Sequence, residues 1–273
     1  MRTLSGRTAL LTGASRGLGP LIADRLGAHG LRLMLVARDA AGLEAEAQRL
    51  RANGVTVGVF AGDVTDPEAM QRAIDAAVDL GGGLQVLVNN AGVDDMGHFA
   101  DASPDSIART LAINLTAPLQ LARLALPRLL EADEAQIINI ASVAGLLGTP
   151  YGAVYAASKA GLIAGSLSLR MELSGGPVGV SAICPAFVHG AGMHEVHKKA
   201  IGRAPLLLGG TSAQATADAV MDAIRNNPAE VIVNDSPLRP LVGLGRTFPG
   251  LSGWLTLRAA GAYMKRLADA RRG

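Results

Sequence analysis

Short apolar runs alternate with longer helical segments along most of this 273-residue chain. The runs are rich in Val, Leu and Ile and occupy Thr8–Thr12, Arg32–Ala37, Val55–Ala61, Leu84–Val88, Gln136–Ala141, Gly179–Cys184 and Glu230–Val233. Such runs are typical of strands that are buried on both faces of a sheet. Between them lie helical patterns such as Leu18–His29, Ala41–Asn53 and Pro67–Leu80. This alternation predicts an α/β fold, a doubly wound parallel sheet of about seven strands with helices on both faces.

A single domain accounts for this alternation. No Pro-, Gly- or Ser-rich linker interrupts it, so we expect one domain over residues 1–237. An apolar content of 49% with 18% charged residues excludes a disordered chain. Two stretches lie outside the alternation, Pro185–Gly210 after the sixth strand and the C-terminal residues 238–273. Ligands of an open α/β sheet bind outside the carboxyl ends of its strands, so Pro185–Gly210 is predicted to cover a ligand.

Composition also limits the partners and the compartment. A single cysteine excludes a disulfide scaffold and favours a reducing compartment, and a formal net charge of +2 does not predict nucleic-acid binding. Met1–Gly6 lacks the apolar stretch of a signal peptide, and no run of about 18 apolar residues suggests a membrane span. We expect a cytoplasmic protein with a small-molecule ligand.

The first predicted strand ends in a glycine-rich turn, Thr12–Gly19, directly before a helix. Gly13 permits a tight turn, Gly17 lets a pyrophosphate approach the backbone, and Gly19 lets the helix pack closely on the strand. The free N–H groups and the dipole of the helix then favour phosphate. The turn predicts binding of a phosphate-bearing cofactor, with contacts from Gly13, Ser15, Arg16, Gly17, Leu18 and Gly19.

Three further motifs follow the turn in order. They are Asn89-Asn90-Ala91-Gly92 after the fourth strand, Ser142 at the end of the fifth, and Tyr155-Ala156-Ala157-Ser158-Lys159 in the next helix. With TGxxxGxG, this set resembles the short-chain dehydrogenase/reductase family from about Thr8 to Val233. The resemblance implies a Rossmann-type fold, an NAD(P)-dependent oxidoreductase and a homodimer or homotetramer. It also implies cofactor contacts from Asp63, Val64, Asn90, Ala91, Gly92, Tyr155, Lys159, Pro185 and Val188.

The catalytic residues that the resemblance implies are Asn114, Ser142, Tyr155 and Lys159. Tyr155 and Lys159 are four residues apart and therefore share one face of a helix. A phenol has an ordinary pKa of about 10, which a neighbouring ammonium group lowers. In ketone reduction Tyr155 would protonate the carbonyl oxygen, to which Ser142 would donate a hydrogen bond. In the family, Asn114 holds a water that connects Lys159 to solvent.

The end of the second strand bears on the choice between NADP and NAD. Ala37 stands where NAD-dependent relatives usually carry Asp, and Arg38 follows it. Arg16 in the glycine-rich turn is a second cation on the same side, and two guanidinium groups suit a 2′-phosphate. These residues favour NADP. Asp39 could instead serve a ribose hydroxyl, which makes an NAD-dependent alcohol dehydrogenase the alternative.

The segment after the sixth strand departs from the family pattern Pro-Gly-x-Val-x-Thr. Ala186 replaces the glycine, and Gly190 replaces the threonine whose hydroxyl binds the nicotinamide amide in the family. The carboxamide would then be held by the backbone or by His189. A sensor or scaffold that binds NADPH with little turnover is therefore a further alternative.

Other residues near this segment could suggest different chemistry. Cys184 ends an apolar strand and is predicted to be a core residue. No metal is expected, because no acid or cysteine cluster completes a ligand set with His189, His194, Glu195 and His197. We predict a largely apolar substrate, such as a fatty 3-oxoacyl chain, a steroid, a retinoid or a small ketone. This prediction comes from the apolar residues Phe187, Met193, Ile201 and Leu206–Leu208.

The C-terminal residues carry an unusual charge. Residues 238–273 contain seven basic residues and one acid, Asp269, whereas the rest of the chain has 18 basic and 22 acidic residues. Apolar residues recur there near helical spacing, at Leu251, Trp254, Leu255, Tyr263, Met264 and Leu267. This basic amphipathic extension is predicted to cover the substrate pocket or a partner subunit. The alternative is peripheral contact with an anionic membrane surface.

Overall fold

The computed structural model describes residue 1 and residues 3–191, 210–235 and 239–272, without the side chains of residues 239 and 241. Seven parallel strands form one sheet in the order β3-β2-β1-β4-β5-β6-β9. They are β1 (Thr8–Thr12), β2 (Arg32–Ala37), β3 (Val57–Ala61), β4 (Val86–Asn89), β5 (Ala135–Ile140), β6 (Val178–Pro185) and β9 (Glu230–Val233). Two short parallel strands, β7 (Val188–His189) and β8 (Thr211–Ser212), pair separately. The predicted doubly wound sheet is confirmed.

Helices connect the strands and surround the sheet. They are α1 (Gly19–Ala28), α2 (Ala40–Ala52), α3 (Pro67–Gly81), α4 (Pro104–Leu111), α5 (Ala117–Leu130), α6 (Ala144–Leu147), α7 (Ala153–Glu172), α8 (Ala213–Asn226), α9 (Arg239–Thr247) and α10 (Pro249–Ala270). Phe99–Asp101 forms a 3-10 turn, and a π-helical turn, Ala112–Thr116, joins α4 to α5.

Successive strand residues supply opposite faces of the sheet. Leu11 and Leu35 belong to a core that α1, α2 and α8 cover, whereas Leu10 and Val36 belong to a second core beneath α3 and α5. Because both faces are covered, the strands have no polar alternation. The edge strand β3 is the exception, since Val59 is 36% exposed. This strand also begins at Val57, two residues later than the apolar run that predicted it.

The strand order places β1 between β2 and β4. The chain runs from β1 outward to β2 and β3, and the crossover after β3 returns past β1 to β4. A crevice opens at the carboxyl ends of strands where the order reverses in this way. The loops after β1, β2, β4 and β5 therefore meet at one edge, and these loops carry most of the predicted site residues.

Candidate active site

The turn between β1 and α1 has a backbone that glycine alone accommodates readily. Gly13 and Gly17 have φ of +66° and +68°, in the left-handed region that disfavours larger residues. At Gly19 a Cβ atom would lie 2.2 Å from the Gly13 carbonyl oxygen and 2.7 Å from the Ala14 Cα. Gly19 therefore allows α1 to start directly against the turn, and the backbone of the turn remains open to a ligand.

The N-terminus of α1 has no side-chain cap within the described part of the chain. The Gly19 N–H donates to the Arg16 carbonyl at 3.3 Å, and Pro20 has no N–H. Side chains cap the N-termini of four other helices: Asp39 on α2, Asp66 on α3, Ser103 on α4 and Ser212 on α8. No side chain of the described residues caps α1 at Leu18, and its first turn carries no acid. An uncapped N-terminus behind a glycine-rich turn fits the pyrophosphate of a dinucleotide.

A network of hydrogen bonds fastens the turn to the loop after β4. The Thr12 hydroxyl accepts the N–H groups of Asn90 and Ala91 at 3.0 and 3.1 Å. The Asn90 side-chain amide donates in return to the carbonyl oxygens of Thr12 and Gly13 at 3.0 and 3.1 Å. The Asn90 side chain thus holds the two loops in register. The residue type of Thr12 alone gives no sign of this role, so the sequence did not predict it.

The end of β2 presents Arg38 to solvent. Its side chain is 64% exposed, and its guanidinium lies 3.7 Å from the Asp63 carboxylate, a distance typical of a weak surface pair. Partial burial would raise the pKa of Asp63, but hydrogen bonds from Thr65 and the charge of Arg38 hold it below its ordinary value. Arg16 is exposed on the glycine-rich turn.

The carboxylate of Asp39 has a structural role. It accepts the N–H of Gly42 at 3.0 Å and so caps α2. A Cβ atom on Gly42 would lie 2.5 Å from the second Asp39 oxygen and 3.3 Å from the Ser15 Cβ, which places Ser15 beside this cap. The need for an N-cap accounts for an acid at this position.

Tyr155 and Lys159 lie on the first turns of α7, where both side chains are buried. The Lys159 Nζ atom is 5.9 Å from the centroid of the Tyr155 ring and donates a hydrogen bond to the Ile140 carbonyl oxygen at 2.8 Å. Burial raises the pKa of Tyr155 to about 12, and the Ser142 hydroxyl acts against this rise as a hydrogen-bonding neighbour. Burial lowers the pKa of Lys159 to about 8. At neutral pH the phenol is protonated and can donate a proton.

Asn114 lies in the π-helical turn that joins α4 to α5. Its side-chain oxygen accepts the Val93 N–H at 2.8 Å, and its nitrogen donates to the Val93 carbonyl at 2.8 Å and the Ser158 hydroxyl at 3.2 Å. At Gly92 a Cβ atom would lie 3.3 Å from the Asn114 oxygen and 3.6 Å from the Lys159 Nζ. Gly92 therefore keeps the space between Asn114 and Lys159 free of a side chain. Turns of this type occur frequently at functional sites.

The segment after β6 is described only as far as residue 191. Pro185 is buried, and its carbonyl accepts the Val143 N–H at 3.1 Å, while Val188 pairs with Thr211. The His189 ring lies against Gly210, where a Cβ atom would meet its Nε2 at 2.1 Å. Some of the predictions concern residues outside the described ranges, namely Met193, His194, Glu195, His197, Ile201 and Leu206–Leu208. Cys184 is fully buried, as predicted, and burial raises its pKa to about 12.

The C-terminal helix α10 forms a wall beside Tyr155. Its residues Ala260, Tyr263, Met264 and Leu267 are buried in one cluster with Met96 and Tyr155. The Phe187 ring meets the Tyr263 ring edge to face at 6.3 Å. The phenol therefore has apolar neighbours on α10. The sequence pattern could not assign them, because it did not show which surface α10 covers.

Ion pairs fasten the end of α10 to the loop after β4. Arg271 reaches the Asp94 carboxylate at 3.0 Å and the Met96 carbonyl at 2.7 Å, while the Asp269 carboxylate lies 2.7 Å from His98. Arg272 pairs with Asp101. Part of the positive charge of residues 238–273 thus neutralises acids of the preceding chain.

Comparisons with known proteins agree with this site. The family model described as short chain dehydrogenase matches residues 7–201. A ketoacyl reductase, HetN, from Nostoc sp. is 39% identical over 238 residues, which cover 87% of this chain and 82% of that protein. An actinorhodin polyketide ketoreductase solved with NADPH has a TM-score of 0.76 and 29% identity, with 86% of this chain and 98% of that one covered.

A second solved structure shows the same fold with a different cofactor. A short-chain dehydrogenase/reductase from Burkholderia phymatum in complex with NAD has a TM-score of 0.81 and 27% identity, covering 92% of this chain and 96% of that one. The fold and site define a nicotinamide-dependent oxidoreductase. The chain belongs to the short-chain dehydrogenase/reductase family.

Proposed function

We propose that this protein is an NADP-dependent reductase that converts a ketone or 3-oxoacyl group on a largely apolar substrate to a secondary alcohol. The observation that carries the proposal is the cluster of Ser142, Tyr155 and Lys159 beside a glycine-rich turn that fits a dinucleotide. The names of the relatives, a ketoacyl reductase and a polyketide ketoreductase, support a 3-oxoacyl substrate.

Tyr155 would act as the general acid. A bound dihydronicotinamide supplies the hydride that the carbonyl carbon accepts. The Tyr155 phenol donates its proton to the carbonyl oxygen, and the Ser142 hydroxyl donates a hydrogen bond to the same oxygen. The Lys159 ammonium stabilises the phenolate that remains, because a positive charge lies 5.9 Å from the ring in a buried site. In alcohol oxidation the same groups would work in reverse.

The preference for NADP follows from the roles of the charged residues. Arg38 is exposed and only weakly paired with Asp63, so its guanidinium can meet a 2′-phosphate, and Arg16 is a second exposed cation on the glycine-rich turn. Asp39, the residue that could favour NAD, is engaged as the N-cap of α2. The adenine would lie near Asp63 and Val64, as the family pattern implies.

Replacement of Arg38 tests this preference. Arg38→Ala is expected to weaken NADPH binding by about tenfold to a hundredfold, the usual effect of losing a charged hydrogen bond, and to leave NADH binding nearly unchanged. Fluorescence titration with each cofactor measures both affinities. Arg225→Ala, which removes an exposed arginine at the end of α8, is the matched control. An equal loss for both cofactors, or tighter NADH than NADPH binding by the unchanged protein, would contradict the assignment.

The pH dependence of reduction tests the role of Lys159. With a pKa of about 8, Lys159 loses its charge as the pH rises through that value, so the phenolate loses its stabilising neighbour. We expect kcat/KM for the carbonyl substrate, at saturating NADPH, to fall above about pH 8.

Unfolding does not explain such a fall. The pKa of Lys159 is lower in the folded chain than its ordinary value of 10.5, so the unfolded chain binds more protons between about 8 and 10.5. This group therefore adds stability as the pH rises through that window. Circular dichroism at each pH provides the control, and a kcat/KM that stays constant to about pH 10 would contradict the proposed role.

The proposal extends to assembly and compartment. We propose that residues 1–237 form the cofactor-binding and catalytic domain, and that the protein is a homodimer or homotetramer in the cytoplasm. Exposed apolar residues on adjacent helices, Leu119 on α5 and Leu167 and Met171 on α7, support an interface between subunits.

A further inference from the structure

An exposed apolar surface covers one side of α9 and the first turns of α10. Six of the twelve large apolar side chains that are exposed among the described residues lie within this stretch of fourteen residues. We call this surface the apolar face; its residues are Leu244, Phe248, Leu251, Trp254, Leu255 and Leu257, each between 37% and 59% exposed. Single exposed apolar residues are ordinary, but six large ones concentrated in one short stretch indicate an interaction site.

The opposite side of α10 explains why the apolar face points outward. Tyr263, Met264 and Leu267 are buried in the cluster that contains Tyr155. The hydrogen bond between Asp269 and His98 and the salt bridge between Arg271 and Asp94 fix the last turn in the same orientation. The helix therefore uses its inner side for the fold and presents Leu251, Trp254, Leu255 and Leu257 on its outer side.

Basic side chains accompany the apolar face. Arg246 and Arg258 lie within it, and the Arg258 guanidinium is 5.1 Å from the centroid of the Trp254 ring. Lys265 and Arg266 continue the exposed side of α10. Arg246 lies 3.7 Å from the Glu230 carboxylate, a distance typical of a weak surface pair. The one acid within residues 238–273, Asp269, lies 2.7 Å from His98 and 3.3 Å from Lys265.

We propose that the apolar face binds the surface of a membrane that contains anionic lipids. Leucine side chains would enter the boundary of the acyl chains, the Trp254 ring would lie at the level of the headgroups, and the arginines would meet lipid phosphates. Such binding is peripheral, and no helix within the described ranges meets the length and hydropathy of a membrane span.

A second copy of the chain fits this surface less well. A two-fold interface places identical patches against each other. Arg246 and Arg258 of both copies would then lie in one interface, and like charges across an interface are unfavourable. Anionic lipid supplies the opposite charge and the apolar environment together.

The single tryptophan of the chain allows a direct test, because Trp254 lies in the apolar face and is the sole source of tryptophan emission. Addition of phosphatidylglycerol vesicles at low salt should shift this emission to shorter wavelength and should sediment the protein with the vesicles. Raised salt should reverse both effects, and phosphatidylcholine vesicles should produce neither. The readout needs no turnover, so it is independent of the proposed reaction.

Surface variants distinguish the contribution of charge to vesicle binding from the contribution of apolar contact. Co-sedimentation should weaken roughly tenfold in Arg246→Gln/Arg258→Gln, and it should be lost in Leu251→Ser/Leu257→Ser. Phe99→Ser, which removes an exposed ring outside the apolar face, should bind as the unchanged protein does. Absence of an emission shift with phosphatidylglycerol would overturn the proposal, as would equal binding to both lipids. So would an emission shift that depends on protein concentration without lipid, since that result identifies a second copy as the occupant.

Discussion

Tyr155→Phe is expected to lower kcat for ketone reduction by about 10²–10⁴-fold, the usual contribution of a positioned general acid. The phenol is buried beside Ser142, and burial raises its pKa to about 12, so it carries a proton at neutral pH. Phenylalanine keeps the ring within its apolar cluster with Met96 and Tyr263, so the fold should persist. Affinity for NADPH should change little, because the substitution removes only the hydroxyl that donates the proton to the substrate.

A neighbouring tyrosine provides the matched control for this loss. Tyr151 packs against the same cluster and is half-buried. Tyr151→Phe removes an identical hydroxyl and should retain most of the activity. Steady-state kinetics with fluorescence titration of NADPH measures both variants. Full turnover in Tyr155→Phe, or an equal loss in both variants, would show that the Tyr155 phenol is not the acid.

Gly19→Ala is expected to destabilise the fold by about 1–3 kcal/mol and to weaken NADPH binding by tenfold or more, roughly the effect of an overpacked site. The added methyl group would lie 2.2 Å from the Gly13 carbonyl oxygen, so either the glycine-rich turn or the start of α1 must move. The same movement displaces the N–H groups that would bind phosphate. Thermal unfolding measures the first effect, and cofactor titration measures the second.

Another glycine of the chain separates these effects from ordinary helix propensity. Gly253 lies within α10, and a Cβ atom there would meet nothing within 4 Å. Gly253→Ala should therefore leave stability unchanged or raise it by up to about 1 kcal/mol. A Gly19→Ala protein that melts and binds NADPH as the unchanged protein does would contradict the geometry described for the turn.

The sequence predicted most of the fold because its signals are local. The observed strands β1, β2 and β9 begin and end at the same residues as the apolar runs that predicted them. After β1, for example, the turn residue Gly13 follows directly. The apolar runs without polar alternation predicted a sheet covered on both faces, and the two cores on opposite faces explain them. The Tyr155–Lys159 spacing likewise predicted a shared helix face, which is a property of the helix alone.

Long-range packing explains what the sequence did not predict. The apolar residues of α10 divide into a buried set around Tyr263 and an exposed set around Trp254, and periodicity alone does not distinguish them. The hydroxyl of Thr12 acts through a loop almost eighty residues away. Asp39 did carry a local signal, because an acid directly before a helical pattern is typical of an N-cap.

The consumption of NADPH on addition of a 3-oxoacyl thioester tests the central claim most directly. The proposed reductase should lose NADPH absorbance in proportion to the 3-hydroxyacyl product identified by mass spectrometry, and Tyr155→Phe should not. The same protein should work less well with NADH. If the protein binds NADPH and yet consumes none with 3-oxoacyl thioesters or a panel of apolar ketones, it is a cofactor-binding sensor or scaffold, and the account of the reaction is wrong.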